Sequence, residues 1–167
     1  TPLHHLLMAE IKTPIVLTSG NLSEEPQVLD NDEAATKLGT IADGLLMHDR
    51  DIVNRLDDSV VRVSASGPAT LRRARGYAPA PIELHEAFRG APSVLAMGGE
   101  LKSAFCLIRD GQTILSQHMG DLENRPALHD FRKNLTLYKQ IFRFSSDVIA
   151  VDNHPDYLST QDGLALA

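Results

Sequence analysis

One cysteine, no tryptophan and an aromatic content of 5% leave this chain short of the side chains that staple or ligate. Cys106 alone excludes an internal disulfide and any cysteine-cluster zinc site, and it fits a reducing cytoplasm. No apolar run approaches the ~18 residues a membrane span requires. No basic segment precedes an apolar one in this stretch, so no signal peptide is expected within it. The chain opens on Thr1 and passes at once into a helix-like pattern, as expected of a piece of a longer protein. Net positive charge is also missing. A formal charge of −6 argues against a general nucleic-acid binder, which must neutralise phosphates.

What is present is a packable α/β sequence: 167 residues, 43% hydrophobic. Leu3, Leu6, Leu7 and Ile11 share one helical face. The neighbouring histidines His4 and His5 point about 100° apart on such a helix, so they do not read as ligands of one metal. Pro14–Leu17 reads as a short buried strand that ends in Thr18-Ser19-Gly20-Asn21. Two hydroxyls, a glycine and a carboxamide at a strand end suit either a plain turn or one wall of a site for a phosphate-bearing ligand. Asp30 and Glu33 have capping-box spacing, with Ala34, Leu38 and Ile41 as the expected buried stripe of a helix. Gly44–His48 reads as a second buried strand.

Ser59–Ser64, a Ser/Gly/Pro turn and the following residues read as a hairpin. It leads into Arg72-Arg73-Ala74-Arg75. Three arginines within four residues of an acidic chain need partners. Asp57 and Asp58 could supply them locally, or an anionic ligand could, since guanidinium forks grip phosphates bidentately. Residues 78–92 have the proline and glycine content of a linker. Beyond them Ser93–Met97, Ser103–Ile108 and Gln112–Gln117 read as three strands. Gly98-Gly99 separates the first two, and Asp110-Gly111 is a hairpin turn. Gly99 lies where a backbone could approach phosphate, with Lys102 as its counter-charge. His118 and Asp121 sit at a polar strand end, where they could act catalytically or cap the next helix. That helix spans about 124–143, with Leu128, Phe131, Leu135, Tyr138 and Phe142 as its apolar stripe. A buried strand near 147–151 and a final helix from Ser159 complete the pattern.

These motifs, in this order, resemble one family. Thr18-Ser19-Gly20-Asn21, His48-Asp49-Arg50, Arg55-Leu56-Asp57-Asp58-Ser59 and Arg72-Arg73-Ala74-Arg75-Gly76-Tyr77 resemble the C-terminal part of the YrdC-like domain of HypF carbamoyltransferases. Gly98-Gly99-Glu100-Leu101-Lys102, Ser116–Leu122 and Asp152–Tyr157 resemble the start of that family's carbamoyl-transfer domain. The resemblance implies an α/β chain: a YrdC-like twisted open mixed sheet with helices over residues 1–85, a linker over 86–92, and the first part of an actin-like ATPase (ribonuclease H-like) domain over 93–167.

It also implies chemistry. The family joins carbamate, released from carbamoyl phosphate, to ATP as carbamoyl-adenylate. It then passes the carbamoyl group to the C-terminal cysteine of HypE during NiFe hydrogenase maturation. Ser19, Asn21, Arg55, Ser59, Arg72, Arg73 and Arg75 would line a first nucleotide site, and Gly99 and Lys102 a second. His118 and Asp121 would be the catalytic candidates. ATP, with Mg²⁺ accompanying it, and a HypE-type partner follow. No metal ligand is expected here, because zinc or other metal belongs to parts of the family's proteins outside this chain. Part of each active site is present, so the segment by itself is expected to be inactive. A YrdC-like threonylcarbamoyl-adenylate synthase and a double-stranded RNA-binding module are the alternatives. The acidic total disfavours RNA.

Overall fold

A computed structural model describes residues 2–23 and 25–167. They fall into two units, residues 1–51 and 52–167. Among the described residues no helix is long and apolar enough to cross a membrane.

The first unit is built from helix α1 (Pro2–Glu10), helix α2 (Asn31–Lys37) and a 3-10 turn at Leu38–Thr40. Asp30 caps α2 as its spacing predicts: its carboxylate accepts from the backbone N–H groups of Asp32 and Glu33. Lys37 closes the other end, on Glu33 and Glu25. The two strands expected here do not form. Pro14–Leu17 and Gly44–His48 enter no ladder, and Val16 is 91% and Leu46 80% exposed. A strand exists by pairing its backbone groups with a neighbour, and no described residue of this unit offers one. The apolar pattern is there without the sheet that would bury it. The α2 stripe is half-buried at Ala34 and Leu38 and exposed at Ile41 for the same reason.

The second unit holds two sheets. Strands β1 (Val60–Ser64) and β2 (Gly67–Arg72) form an antiparallel hairpin. A five-stranded mixed sheet is made from β3 (Ile82–Glu83), β4 (Val94–Ala96), β5 (Cys106–Arg109), β6 (Gln112–Leu115) and β7 (Val148–Ala150), in the order β3-β6-β5-β4-β7. Only β4 and β7 run parallel. Asp110 and Gly111, both at positive φ, make the tight β5–β6 turn that their sequence signals. β3 lies inside the stretch with linker composition: it pairs with β6, and Leu84 N–H donates to the Gly111 carbonyl. A 3-10 turn follows at Glu86–Phe88.

Helix α3 (Arg125–Ile141) starts at Asn124, whose side chain accepts from Ala127 N–H; neither His118 nor Asp121 caps it. Its stripe delivers Phe131, Leu135 and Tyr138 to a core shared with Leu95, Met97, Phe105, Leu107, Leu122 and Phe144. Phe105 meets Phe131 and Tyr138 edge to face, at centroid distances of 5.6 and 5.1 Å. Leu128 and Phe142 flank this core half-buried. Helix α4 (Leu158–Leu166) packs over β7, where Gly163 leaves no room for a side chain: a Cβ would stand 2.3 Å from Val151 Cγ1. Cys106 is half-buried on β5, and burial pushes its thiol above the ordinary range.

Candidate functional site

The second unit carries a cleft of 620 Å³ whose wall combines Arg72, Arg73, Lys102, Ser116 and His118 with apolar residues such as Val60 and Leu115. Three local structures set that wall. β2 ends in the arginine run, the glycine turn after β4 presents Lys102, and the chain leaving β6 presents His118.

The three arginines are not equivalent. Arg75 is committed to its own neighbourhood: its guanidinium donates to the Leu56 carbonyl and pairs with Asp58 at 3.4 Å. Arg73 closes the following turn by donating to the carbonyls of Tyr77 (2.9 Å) and Ala80 (2.8 Å), with its guanidinium over the Tyr77 ring. Its Nε is buried without a partner among the described residues. Arg72 makes no side-chain hydrogen bond or ion pair among the described residues, and its charge acts on nearby Asp57. The Lys102 ammonium is likewise unengaged among the described residues. Two cations without partners among the described residues thus stand on one cleft, where the family resemblance assigns them to two different sites.

Lys102 is held by its backbone. It has a positive φ of 52°, uncommon for a side-chain-bearing residue, and its N–H donates to the Asp121 carboxylate at 2.9 Å. Asp121 therefore anchors the loop that carries Lys102. Gly98 makes the same loop possible: at φ 72° a Cβ would stand 2.2 Å from the Ala104 carbonyl oxygen. Gly99 is roomier, with the Asp152 carboxylate 3.9 Å from its hypothetical Cβ. Ser59 is structural in its contacts, accepting from Ala74 N–H and donating to the Arg75 carbonyl.

Arg55 faces Asp130 on α3 in a half-buried ion pair. The Asp130 carbonyl accepts from Asn134, Asn134 accepts from Gln117, and Gln117 accepts from the Tyr138 hydroxyl at 2.6 Å. This buried chain ties residue 55 to the strand end beside His118. His118 Nδ1 lies 3.0 Å from Asp57 Oδ2, and its backbone N–H donates to the Arg73 carbonyl. The imidazole hydrogen bond, with help from Arg72 and Arg75, holds the Asp57 carboxyl below its ordinary range.

Ser19 and Asn21 lie in the first unit. Ser19 Oγ donates to the Asn21 side-chain oxygen, and Asn21 Nδ2 donates to the Leu22 carbonyl. Val28 N–H donates to the Gly20 carbonyl, closing the loop.

The sequence reading missed Asp57 as a partner of His118, Asp130 as a partner of Arg55, and Glu100. The Glu100 carboxylate is buried and accepts from Leu158 and Ser159 N–H at the start of α4. No local signal marks the first two, because the partners are separated by 61 and 75 positions. The signal for Glu100 is local: an acidic residue directly follows Gly98-Gly99.

An α/β chain with a glycine turn and a cationic cleft is a class, and comparison narrows it. Residues 1–74 match the Sua5/YciO/YrdC family model, described as "Telomere recombination", and residues 89–166 match the model described as "HypF Kae1-like domain". The chain is 47% identical over its whole length to carbamoyltransferase HypF of Rhodobacter capsulatus, covering 22% of that protein. It is 47% identical over 96% of its length to carbamoyltransferase HypF of Synechocystis sp., covering 21% of that protein. A crystal structure of full-length HypF in the phosphate- and nucleotide-bound form superposes with a TM-score of 0.87 at 48% identity, over 98% of this chain and 26% of that one. The chain belongs to the HypF carbamoyltransferase family, as a segment spanning about a fifth of its relatives' length.

Proposed function

We propose that this segment contributes the anion-holding wall of a HypF-type carbamoyltransferase. The whole protein forms carbamoyl-adenylate from ATP and carbamate and transfers the carbamoyl group to the C-terminal cysteine of a HypE-type partner, in hydrogenase maturation. Residues 1–85 are read as the end of the YrdC-like domain, 86–92 as a linker and 93–167 as the start of the transfer domain.

The observation that carries this reading is the pair of unengaged cations, Arg72 and Lys102, on one cleft with His118. Adenylate formation places charge on the α-phosphorus and on departing pyrophosphate, and transfer releases an AMP anion. Fixed cations stabilise each of these. Apolar wall residues such as Val60 and Leu115 suit the uncharged body of a nucleoside. The relatives named carbamoyltransferase, and the relative crystallised with phosphate and nucleotide, support the same ligand class. Arg55, Ser59, Arg73 and Arg75 make internal bonds, so in this reading they shape the wall and Arg72 and Lys102 meet the ligand. Mg²⁺ would travel with the triphosphate. That internal use of Arg73 and Arg75 also leaves little basic patch for double-stranded RNA.

In the full-length protein, carbamate-dependent exchange between ATP and pyrophosphate tests the reading. Arg72→Ala and Lys102→Ala are each expected to weaken exchange or subsequent carbamoyl transfer about 10-fold or more, as loss of a charge-assisted contact implies. Activity equal to the unaltered protein in both variants would refute it.

A further inference from the structure

Asp57 has no role in the reading above, yet it holds the His118 imidazole on the cleft. Its Oδ2 lies 3.0 Å from His118 Nδ1, while His118 is pinned a second time through its backbone N–H to the Arg73 carbonyl. The His118 side chain is 19% exposed, on the same wall as Arg72 and Lys102. A carboxylate can only accept. An ionised Asp57 therefore requires the proton of a neutral imidazole to sit on Nδ1, which leaves Nε2 as the lone-pair nitrogen. Among the charges near the pair, Arg72 and Arg75 both favour ionised Asp57, and Lys102 lines the same cleft. The carboxyl is accordingly held below its ordinary range.

We propose that Asp57 is a positioning residue that fixes His118 with Nε2 as the proton acceptor for carbamoyl transfer. The inference rests on the function proposed above and assigns its proton. A thiol of the partner protein attacks the carbamoyl carbon, and Nε2 takes the thiol proton as the S–C bond forms. The bond from that carbon to the adenylate phosphate oxygen breaks, and its electron pair leaves with AMP, whose new anionic oxygen is matched by Arg72 and Lys102. One proton moves to His118, and the products are the S-carbamoyl partner and AMP. Adenylate formation needs no such base, because carbamate attacks phosphorus as an anion.

That asymmetry supplies the test, run in the full-length protein with its thiol-bearing partner. Asp57→Asn keeps the shape but can present a donor to Nδ1, which reverses the tautomer. It is expected to lower the transfer kcat by about 10²- to 10⁴-fold, the range of general-base losses. ATP–pyrophosphate exchange and the KM for ATP should stay within about twofold of the unaltered protein. Asp57→Glu should recover part of the transfer rate. His118→Gln should match Asp57→Asn, and the double variant should lose no more than either single one. Unchanged transfer in Asp57→Asn, equal loss of exchange and transfer, or additive losses would each overturn the inference. Absence of exchange in the unaltered protein would overturn the underlying reading, and this inference with it.

Discussion

The Glu100 carboxylate accepts the backbone N–H of Leu158 at 2.8 Å, joining the glycine turn after β4 to the first turn of α4. An anion at a helix N-terminus is favoured by the unsatisfied N–H groups and by the helix dipole. Glu100 is only 6% exposed, so water cannot replace it. The loop that presents Lys102 and the last helix of the segment are therefore coupled through one side chain.

Replacing it should be costly. Glu100→Ala is expected to destabilise the second unit by about 1.5–3 kcal/mol, the scale of hydrogen bonds to charged groups. Glu100→Gln, which keeps an acceptor without the charge, should cost less. Urea unfolding midpoints at constant slope would show the difference. Equal midpoints for Glu100→Ala and the unaltered protein would mean that α4 is capped by other means.

The adjacent glycines should respond unequally. Gly98→Ala forces a Cβ to within 2.2 Å of a backbone oxygen at a positive φ, and should cost about 3 kcal/mol or more through strain and overpacking. Gly99→Ala meets its first neighbour at 3.9 Å and should change stability by under about 1 kcal/mol. Thermal midpoints of the two variants provide the comparison. A tolerated Gly98→Ala would mean that the loop can rearrange.

Tyr138→Phe removes the donor to Gln117 and leaves a buried carbonyl oxygen unmatched in the chain that runs through Asn134 to Asp130. The expected cost is about 1–3 kcal/mol. In the unaltered protein, burial raises the Tyr138 phenol above the ordinary range. Spectrophotometric titration should therefore find one tyrosine ionising later than an exposed one, and lose that component in Tyr138→Phe.

Acid should loosen the contact between Asp57 and His118. The Asp57 carboxyl is depressed in the folded chain relative to its ordinary value of 3.8, first by the His118 hydrogen bond. The unfolded chain thus takes up this proton at higher pH than the folded one. The stabilisation is fully present above the ordinary value and is lost as pH falls from there through the lower folded value. Stability followed against pH should show that acid-side loss, and Asp57→Asn should flatten it. A variant with the same acid-side slope as the unaltered protein would assign the loss to other carboxylates.

The second unit was readable because its signals are local. Asp110-Gly111 specifies its hairpin by backbone conformation, and the α3 stripe from Leu128 to Phe142 specifies a helix face by period. Asp30 and Asn124 cap helices through groups two or three residues away, and Asp30 was legible for that reason. The strands expected at Pro14–Leu17 and Gly44–His48 failed because an apolar run says that burial is needed, not that a neighbour is present. The brief strand Ile82–Glu83 was hidden by the prolines around it, since its partner on β6 lies some thirty residues away. The arginine run was recognised as needing partners, but which arginine finds them inside the fold depends on where Leu56, Asp58, Tyr77 and Ala80 come to rest. The meeting of Arg72 with Lys102 on one wall is a tertiary fact that no spacing encodes.

Whether Arg72 and Lys102 hold one anion is decided by a double-mutant cycle on nucleotide binding. Calorimetric titration of ATP with Mg²⁺ into the full-length protein would compare Arg72→Ala, Lys102→Ala and the double variant. If both cations hold one anion on one cleft, each single change should weaken binding and the double change should depart from their sum by about 0.5 kcal/mol or more. Strictly additive effects, or binding that neither change weakens, would place the two residues at separate sites and contradict the account.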